Sequence, residues 1–118
     1  SLGFATYENY EYVFYWAKEW GIDPYQMAVW RSYSAVPMHG LMGCIMGFYF
    51  GMYAFTANKK YLALCLFIPF VIHGFYNFLP RPFHFMVLGI VVIYSIALHS
   101  QFKKIKLMKN KEKEIKKV

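Results

Sequence analysis

Charged residues fall in clusters along this chain, and the gaps between clusters are long. No Asp, Glu, Lys or Arg occurs in residues 36–56, 61–79 or 83–101. Each gap is dominated by apolar and aromatic residues, and about 20 such residues suffice to cross about 30 Å of hydrocarbon as a helix. Three membrane spans are therefore predicted, at about residues 33–56, 61–79 and 83–101. Pro37 falls in the first turn of the earliest, where its missing N–H does no harm. Asn58-Lys59-Lys60 closes that span, Pro80-Arg81-Pro82 closes the next, and a run of lysines follows the last. Ahead of them, residues 2–20 are aromatic but interrupted by Glu8, Glu11, Lys18 and Glu19. Tyr10, Tyr12, Tyr15, Trp16 and Trp20 suit a membrane–water interface, so this segment reads as a helix that ends there. Gly21-Ile22-Asp23-Pro24 has turn chemistry, and Pro24 can open a short interfacial helix holding Met27 and Trp30. The expected fold class is all-α, a polytopic membrane bundle of about four helices over residues 1–102, followed by a basic tail at 103–118. Residues 1–3 do not resemble a signal peptide. The pattern begins inside a helix, so further sequence upstream of Ser1 is expected.

Composition agrees. Hydrophobic residues make up 58% of the chain and charged residues 16%, against about 45–50% and about 25% in soluble domains. The net charge of +7 is local, because residues 103–118 carry eight lysines and two glutamates. A lysine tail directly after a span reads as an anchor beside anionic lipid rather than as a nucleic-acid surface. The expected partners are membrane lipid and a membrane-anchored protein substrate, with no nucleic acid. Lys59-Lys60 and the tail are separated by two spans and so share one side, which the positive-inside rule makes cytoplasmic. His39 and His73 then lie at one depth, near the outer face. Cys44 and Cys65 fall inside spans with no partner motif and are expected to act as small apolar residues.

Ionisable groups within a bilayer are costly, and are functional candidates for that reason. Glu8, His39, His73 and Asn77 qualify. His73 and Asn77 are spaced i, i+4 and share a helix face. A Glu and two His form a good zinc set with a fourth position left for water. The same three groups can instead hold and polarise a water with no metal present. Each also has a purely structural reading, as a hydrogen-bonded bridge between helices. Gly43, Gly47 and Gly51 continue the line of His39 at i+4 steps, a stripe suited to close helix approach. His84 and His99 sit near predicted span ends and read as interfacial. Glu11 lies nearer the interface than Glu8 and reads as solvated.

The polar motifs resemble those of the PrsW family of intramembrane proteases, itself similar to the type II CAAX prenyl endopeptidases. Gly3-Phe4-Ala5-Thr6-Tyr7-Glu8-Asn9 resembles the family's Phe-x-x-x-Glu motif. Arg31 through Gly40, with Pro37-Met38-His39 followed by Gly43 and Gly47, is similar to its Pro-x-His motif. His73-Gly74-Phe75-Tyr76-Asn77 is similar to His-x-x-x-Asp/Asn, with Asn77 where many relatives carry Asp. The three stand in the family's order over residues 3–78. The family's Glu-Glu motif, thought to supply the general base, is absent from these 118 residues. The resemblance implies peptide-bond hydrolysis of a membrane-anchored protein near the extracytoplasmic face, with Glu8, His39, His73 and Asn77 at the site and zinc or no metal as alternatives. Two other readings fit part of the pattern: a haem-binding cytochrome subunit ligated by His39 and His73, and a non-catalytic membrane scaffold.

Overall fold

The computed structural model describes residues 2–115, and these are helical almost throughout, with no strand among them. The elements are α1 (Leu2–Glu11), a π-helical turn (Tyr12–Trp16), α2 (Ala17–Glu19), α3 (Pro24–Tyr33), α4 (Ala35–Thr56), α5 (Lys59–Phe78), a 3-10 turn (Arg81–Phe83) and α6 (His84–Ile115).

Local chemistry accounts for each boundary. Helix α2 ends in a Schellman motif: Gly21, at φ +63, donates to Lys18 O, and Ile22 N donates to Ala17 O at 2.8 Å. Asp23 caps α3 by accepting from Gln26 N at 2.9 Å, with Pro24 in the first position. The break at Ser34 follows from Pro37, which offers no N–H to Tyr33 O and whose ring crowds that carbonyl. Residues 24–56 otherwise form one near-continuous helical stretch. Ala57, at φ 55, ends α4, and Asn58 Oδ1 then caps α5 by accepting from Lys60 N at 3.0 Å.

Helix α4 is the centre of the bundle and packs against α1, α3, α5 and α6. Its buried residues Ala35, Met38, Met42, Ile45, Tyr49 and Met52 alternate in steps of three and four, the spacing of a seam that interlocks with neighbouring helices. They meet Cys65 and Tyr76 of α5 and Val91 and Leu98 of α6. Across this seam the hydroxyls of Tyr49 and Tyr94 lie 2.6 Å apart. Cys65 sits in the core as expected, its thiol donating to Met46 O at 3.3 Å. Large apolar side chains such as Phe67, Phe70, Phe75, Ile93 and Ile96 point outward, whereas Glu8, Arg31 and His39 are buried. Polar inside and apolar outside is the arrangement that lipid as solvent demands. By length and composition, Pro24–Thr56, Lys59–Phe78 and Arg81–Glu112 are each sufficient to cross a membrane.

Two expectations need adjusting. Helix α6 does not stop near residue 101 but runs on to Ile115. The lysine-rich stretch contains strong helix formers and no Gly or Pro, so nothing ends the helix there. Its 32 residues span about 48 Å, longer than the hydrocarbon layer, and Lys109 Nζ comes back to donate to Phe55 O at 3.3 Å. The basic tail thus lies at the same end of the bundle as Lys59-Lys60. The glycine stripe, in turn, is only partly covered. A Cβ on Gly51 would lie 3.5 Å from Phe102 of α6, whereas one on Gly47 would meet nothing within 4 Å. A row at i+4 steps rotates about 40° per step around the helix, so its members cannot all face one neighbour.

Candidate active site

Three helices bring one carboxylate and two imidazoles together. Glu8, buried on α1, places Oε2 3.0 Å from His39 Nε2 on α4 and Oε1 3.4 Å from His73 Nε2 on α5. The two imidazole centroids are 5.2 Å apart, and Phe4, one turn before Glu8, packs on both at 5.7 and 5.6 Å. One apolar ring thus packs on both imidazoles. The hydrogen bond to His39 is well formed. The His73 contact is not, and its buried Nε2 has no hydrogen-bond partner among the described residues. A buried imidazole nitrogen facing a carboxylate without bonding it is costly unless another group fills the gap.

Glu8 is held from behind by Arg31 of α3, a residue the polar-group reading did not single out as part of the site. Arg31 Nη2 donates to Glu8 Oε2 at 2.7 Å, and Nε donates to Asn9 Oδ1 at 2.6 Å. Its guanidinium lies 3.9 Å over the Tyr12 ring. Glu8 and Tyr12 share a helix face at i, i+4, so α1 and the turn after it grip the cation from two directions. A signal did exist in the sequence. The chain has two arginines against eleven lysines, and a planar, permanently charged group among aromatic residues suits a fixed pairing role better than a solvated one.

Asn77 stands apart from this trio. It is exposed on the last turn of α5 and lines a small cleft with Arg31 and Tyr76. Glu11 accepts from the Tyr7 hydroxyl at 2.9 Å on the exposed side of α1 and takes no part in the cluster. His84 sits at the helix end expected of it, Nε2 donating to Leu79 O at 2.9 Å and the ring stacked on Tyr76. His99 is exposed on α6, beside Cys44 and Ser95.

Glu8, His39 and His73 can hold a metal ion, since their ligand atoms all lie within 4.8 Å of one another. Tetrahedral zinc with ligands at about 2.0–2.1 Å requires ligand atoms about 3.3 Å apart. The Oε1–His73 Nε2 distance of 3.4 Å is close to that value, and Nε2 of His73 can turn a lone pair to a metal in the tautomer protonated at Nδ1. Arg31 and His39 already share Oε2, so Oε1 is the oxygen Glu8 has to offer. The same carboxylate leaves no slot between the imidazoles for a porphyrin, which argues against the cytochrome reading.

Comparison with known proteins gives the family. Residues 1–100 match the family described as PrsW family intramembrane metalloprotease. A Protease PrsW from Oceanobacillus iheyensis is 36% identical over 105 residues, covering 84% of this chain and 46% of the relative. The Protease PrsW of Bacillus subtilis (strain 168) is 42% identical over 82 residues, covering 67% and 34%. That of Clostridioides difficile (strain 630) is 29% identical over 102 residues, covering 83% and 42%. The chain thus spans less than half the length of these curated relatives. No solved structure matches it. With three apolar spans and a family match over most of its length, the chain is a multi-pass membrane protein and belongs to the PrsW family.

Proposed function

We propose that this chain carries the ligand cluster of an intramembrane metalloprotease that hydrolyses a peptide bond of a membrane-anchored protein near the extracytoplasmic face. The observation that carries the reading is the Glu8 carboxylate set between two imidazoles from separate spans, 3.0 Å from His39 Nε2 and, without a formed hydrogen bond, 3.4 Å from His73 Nε2. Zinc is the metal this donor set favours, and when bound it supplies Lewis-acid polarisation and a water acidified to near neutrality. Glu8, fixed by Arg31, and His39, fixed by Glu8, hold their ligand atoms in place before substrate arrives. His73 Nε2 would complete the ligand set, beside the fourth position left for the attacking water. Asn77, one helical turn beyond His73, donates its side-chain amide to the scissile carbonyl oxygen as charge develops there. The water oxygen bonds to the carbonyl carbon, the C–N bond breaks, and the water's proton passes to the departing amine through a general base. In the family resemblance that base is a glutamate of the Glu-Glu motif, outside these residues. The tail and Lys59-Lys60 are assigned to the cytoplasm, which sets the cluster toward the outer leaflet.

One observation favours a metal-free variant of the same chemistry: a guanidinium 2.7 Å from the Glu8 carboxylate competes with a metal for that ligand. The test uses the full-length parent in liposomes with a membrane-anchored reporter. His39→Ala, His73→Ala and Glu8→Gln should abolish cleavage while membrane insertion persists. Asn77→Ala should lower the rate by about 10²–10³, the usual effect of losing one oxyanion donor. Bound zinc lost in His39→Ala supports the metalloprotease, and full activity in strong chelator supports the metal-free form. Wild-type rates in both histidine variants would refute the assignment.

A further inference from the structure

Beside the cluster, between Tyr12 and Trp20, α3, the end of α5 and the turn that follows it, lies a cleft of about 60 Å³. Tyr12, Trp20, Arg31, Tyr76, Arg81 and His84 are among its lining residues, and no Asp or Glu is. Two of its polar atoms are buried without partners among the described residues, the Tyr76 hydroxyl and His84 Nδ1. Tyr76 is only 4% exposed, so its hydroxyl has no route to bulk water except through the cleft. Arg31 has Nε and Nη2 committed to Asn9 and Glu8, and Nη1 makes no hydrogen bond among the described residues. Arg81 has no carboxylate partner among them either, and its guanidinium stands 6.0 Å over the Trp20 ring. The guanidinium of Arg81, the remaining Nη1 donor of Arg31 (whose charge is matched by Glu8), a hydroxyl donor and an aromatic wall, with no carboxylate in the lining, form a site for an anion with hydrogen-bonding oxygens.

We propose that this cleft is a substrate subsite that takes the carboxylate of an Asp or Glu side chain, two to three residues from the cleaved bond. The placement comes from α5. Asn77 lines the cleft one turn after His73, a rise of about 6 Å, and extended peptide advances about 3.3 Å per residue. With Asn77 serving the scissile carbonyl, the strand runs on about two residues to reach the Arg81 and Tyr76 side of the same cleft. The aromatic residues around the cleft belong at the membrane–water boundary, where a carboxylate keeps part of its hydration until Arg81 and Tyr76 replace it. The volume exceeds what one water needs and excludes a second aromatic ring. The inference rests on the protease reading for its position relative to the cut, while the recognition itself is independent of cleavage.

The experiment places Asp, Asn or Lys in turn at each position within four residues of the cleavage site of a membrane-anchored reporter. Cleavage is measured with the full-length parent in phosphatidylcholine nanodiscs. One position should prefer Asp over Asn by about tenfold or more in kcat/KM, chiefly through KM. Arg81→Glu should abolish that preference and raise cleavage of the Lys reporter, and Tyr76→Phe should weaken it. Equal rates for the three reporters, or an Asp preference unchanged in Arg81→Glu, would overturn the subsite. A second measurement needs no cleavage: fluorescence anisotropy of the Asp and Asn peptides binding to the His73→Ala variant. Tighter Asp binding that disappears in Arg81→Glu/His73→Ala sustains the subsite even if the parent cleaves nothing, a result that would reject only the protease reading. Equal binding of the two peptides rejects the subsite even if cleavage is robust.

Discussion

The Glu8–Arg31 pair is the energetic hinge of the cluster, and a double-mutant cycle measures it. Both side chains are nearly buried, at 11% and 8% exposed, with 2.7 Å between Nη2 and Oε2. Removing one member of such a pair leaves an uncompensated buried charge, which destabilises by about 3–5 kcal/mol. Arg31→Met keeps most of the stem and deletes the charge. It also forfeits the bond to Asn9 and the Tyr12 ring contact, the latter contributing up to about 2 kcal/mol when desolvated. Glu8→Gln is milder, because the guanidinium keeps Asn9 and Tyr12. In the double variant no buried charge is stranded. It should be less destabilised than the two singles combined, with a coupling of about 2–3 kcal/mol, the upper part of the range seen for contacting residues. The readout is reversible unfolding in detergent micelles titrated with SDS, which reports stability whether or not the protein cleaves anything. Additivity within about 0.5 kcal/mol would show that the pair does not hold the site together.

Cysteines introduced at Lys60 and Arg81 should label from opposite faces of the membrane, with Lys60 cytoplasmic; same-side labelling overturns the orientation. Tyr49→Phe or Tyr94→Phe should each lower stability by about 1–3 kcal/mol, because each strands the other's hydroxyl across a 2.6 Å contact. The double Phe variant should then cost less than the two singles added, and a strictly additive result in SDS unfolding would refute the pairing.

What was legible in the sequence follows from which groups the bilayer penalises. The spans at 36–56, 61–79 and 83–101 show themselves because charge is excluded from hydrocarbon, and Glu8, His39 and His73 stand out for the same reason. Arg31 was harder to see as part of the site. It lies on a short helix that reads as interfacial, where a basic residue is ordinary, and only the fold turns it inward onto Glu8. Asn77 was legible by its spacing from His73, yet the final turn of α5 points it into the neighbouring cleft rather than at Glu8. The π-helical turn at Tyr12–Trp16 has no signature in an aromatic run whose members all suit an interface. The extension of α6 was obscured by the opposite error. A charge run marks the end of the hydrocarbon, but lysines do not end helices, so span and helix part company near residue 101.

The charge count of the cluster leads to a last prediction about metal. With neutral imidazoles, Glu8 carries the single negative charge and Arg31 the single positive one, so the described site is neutral overall. A dication entering it meets no net attraction and lies close to a guanidinium. At an effective dielectric of about 20, charges of +2 and +1 about 5 Å apart repel by several kcal/mol. On the metal reading, Arg31 would therefore weaken binding of the ion while it fixes the carboxylate that would hold it. Replacing it with Met removes the repulsion and frees Oε2, at the cost of stability and of Glu8 alignment. Arg31→Met should thus bind zinc at least about tenfold more tightly than wild type and yet cleave more slowly, whereas Arg31→Lys should stay near wild type in affinity. Zinc affinity is read by competition with a chromophoric chelator in detergent, on protein whose fold is checked by its unfolding midpoint. If Arg31→Met binds zinc more weakly than wild type while still folded, Arg31 organises the ligands more than it repels the ion. The guanidinium would then belong to a metal site's supporting shell, and the case for a metal-free mechanism would lose its one structural argument.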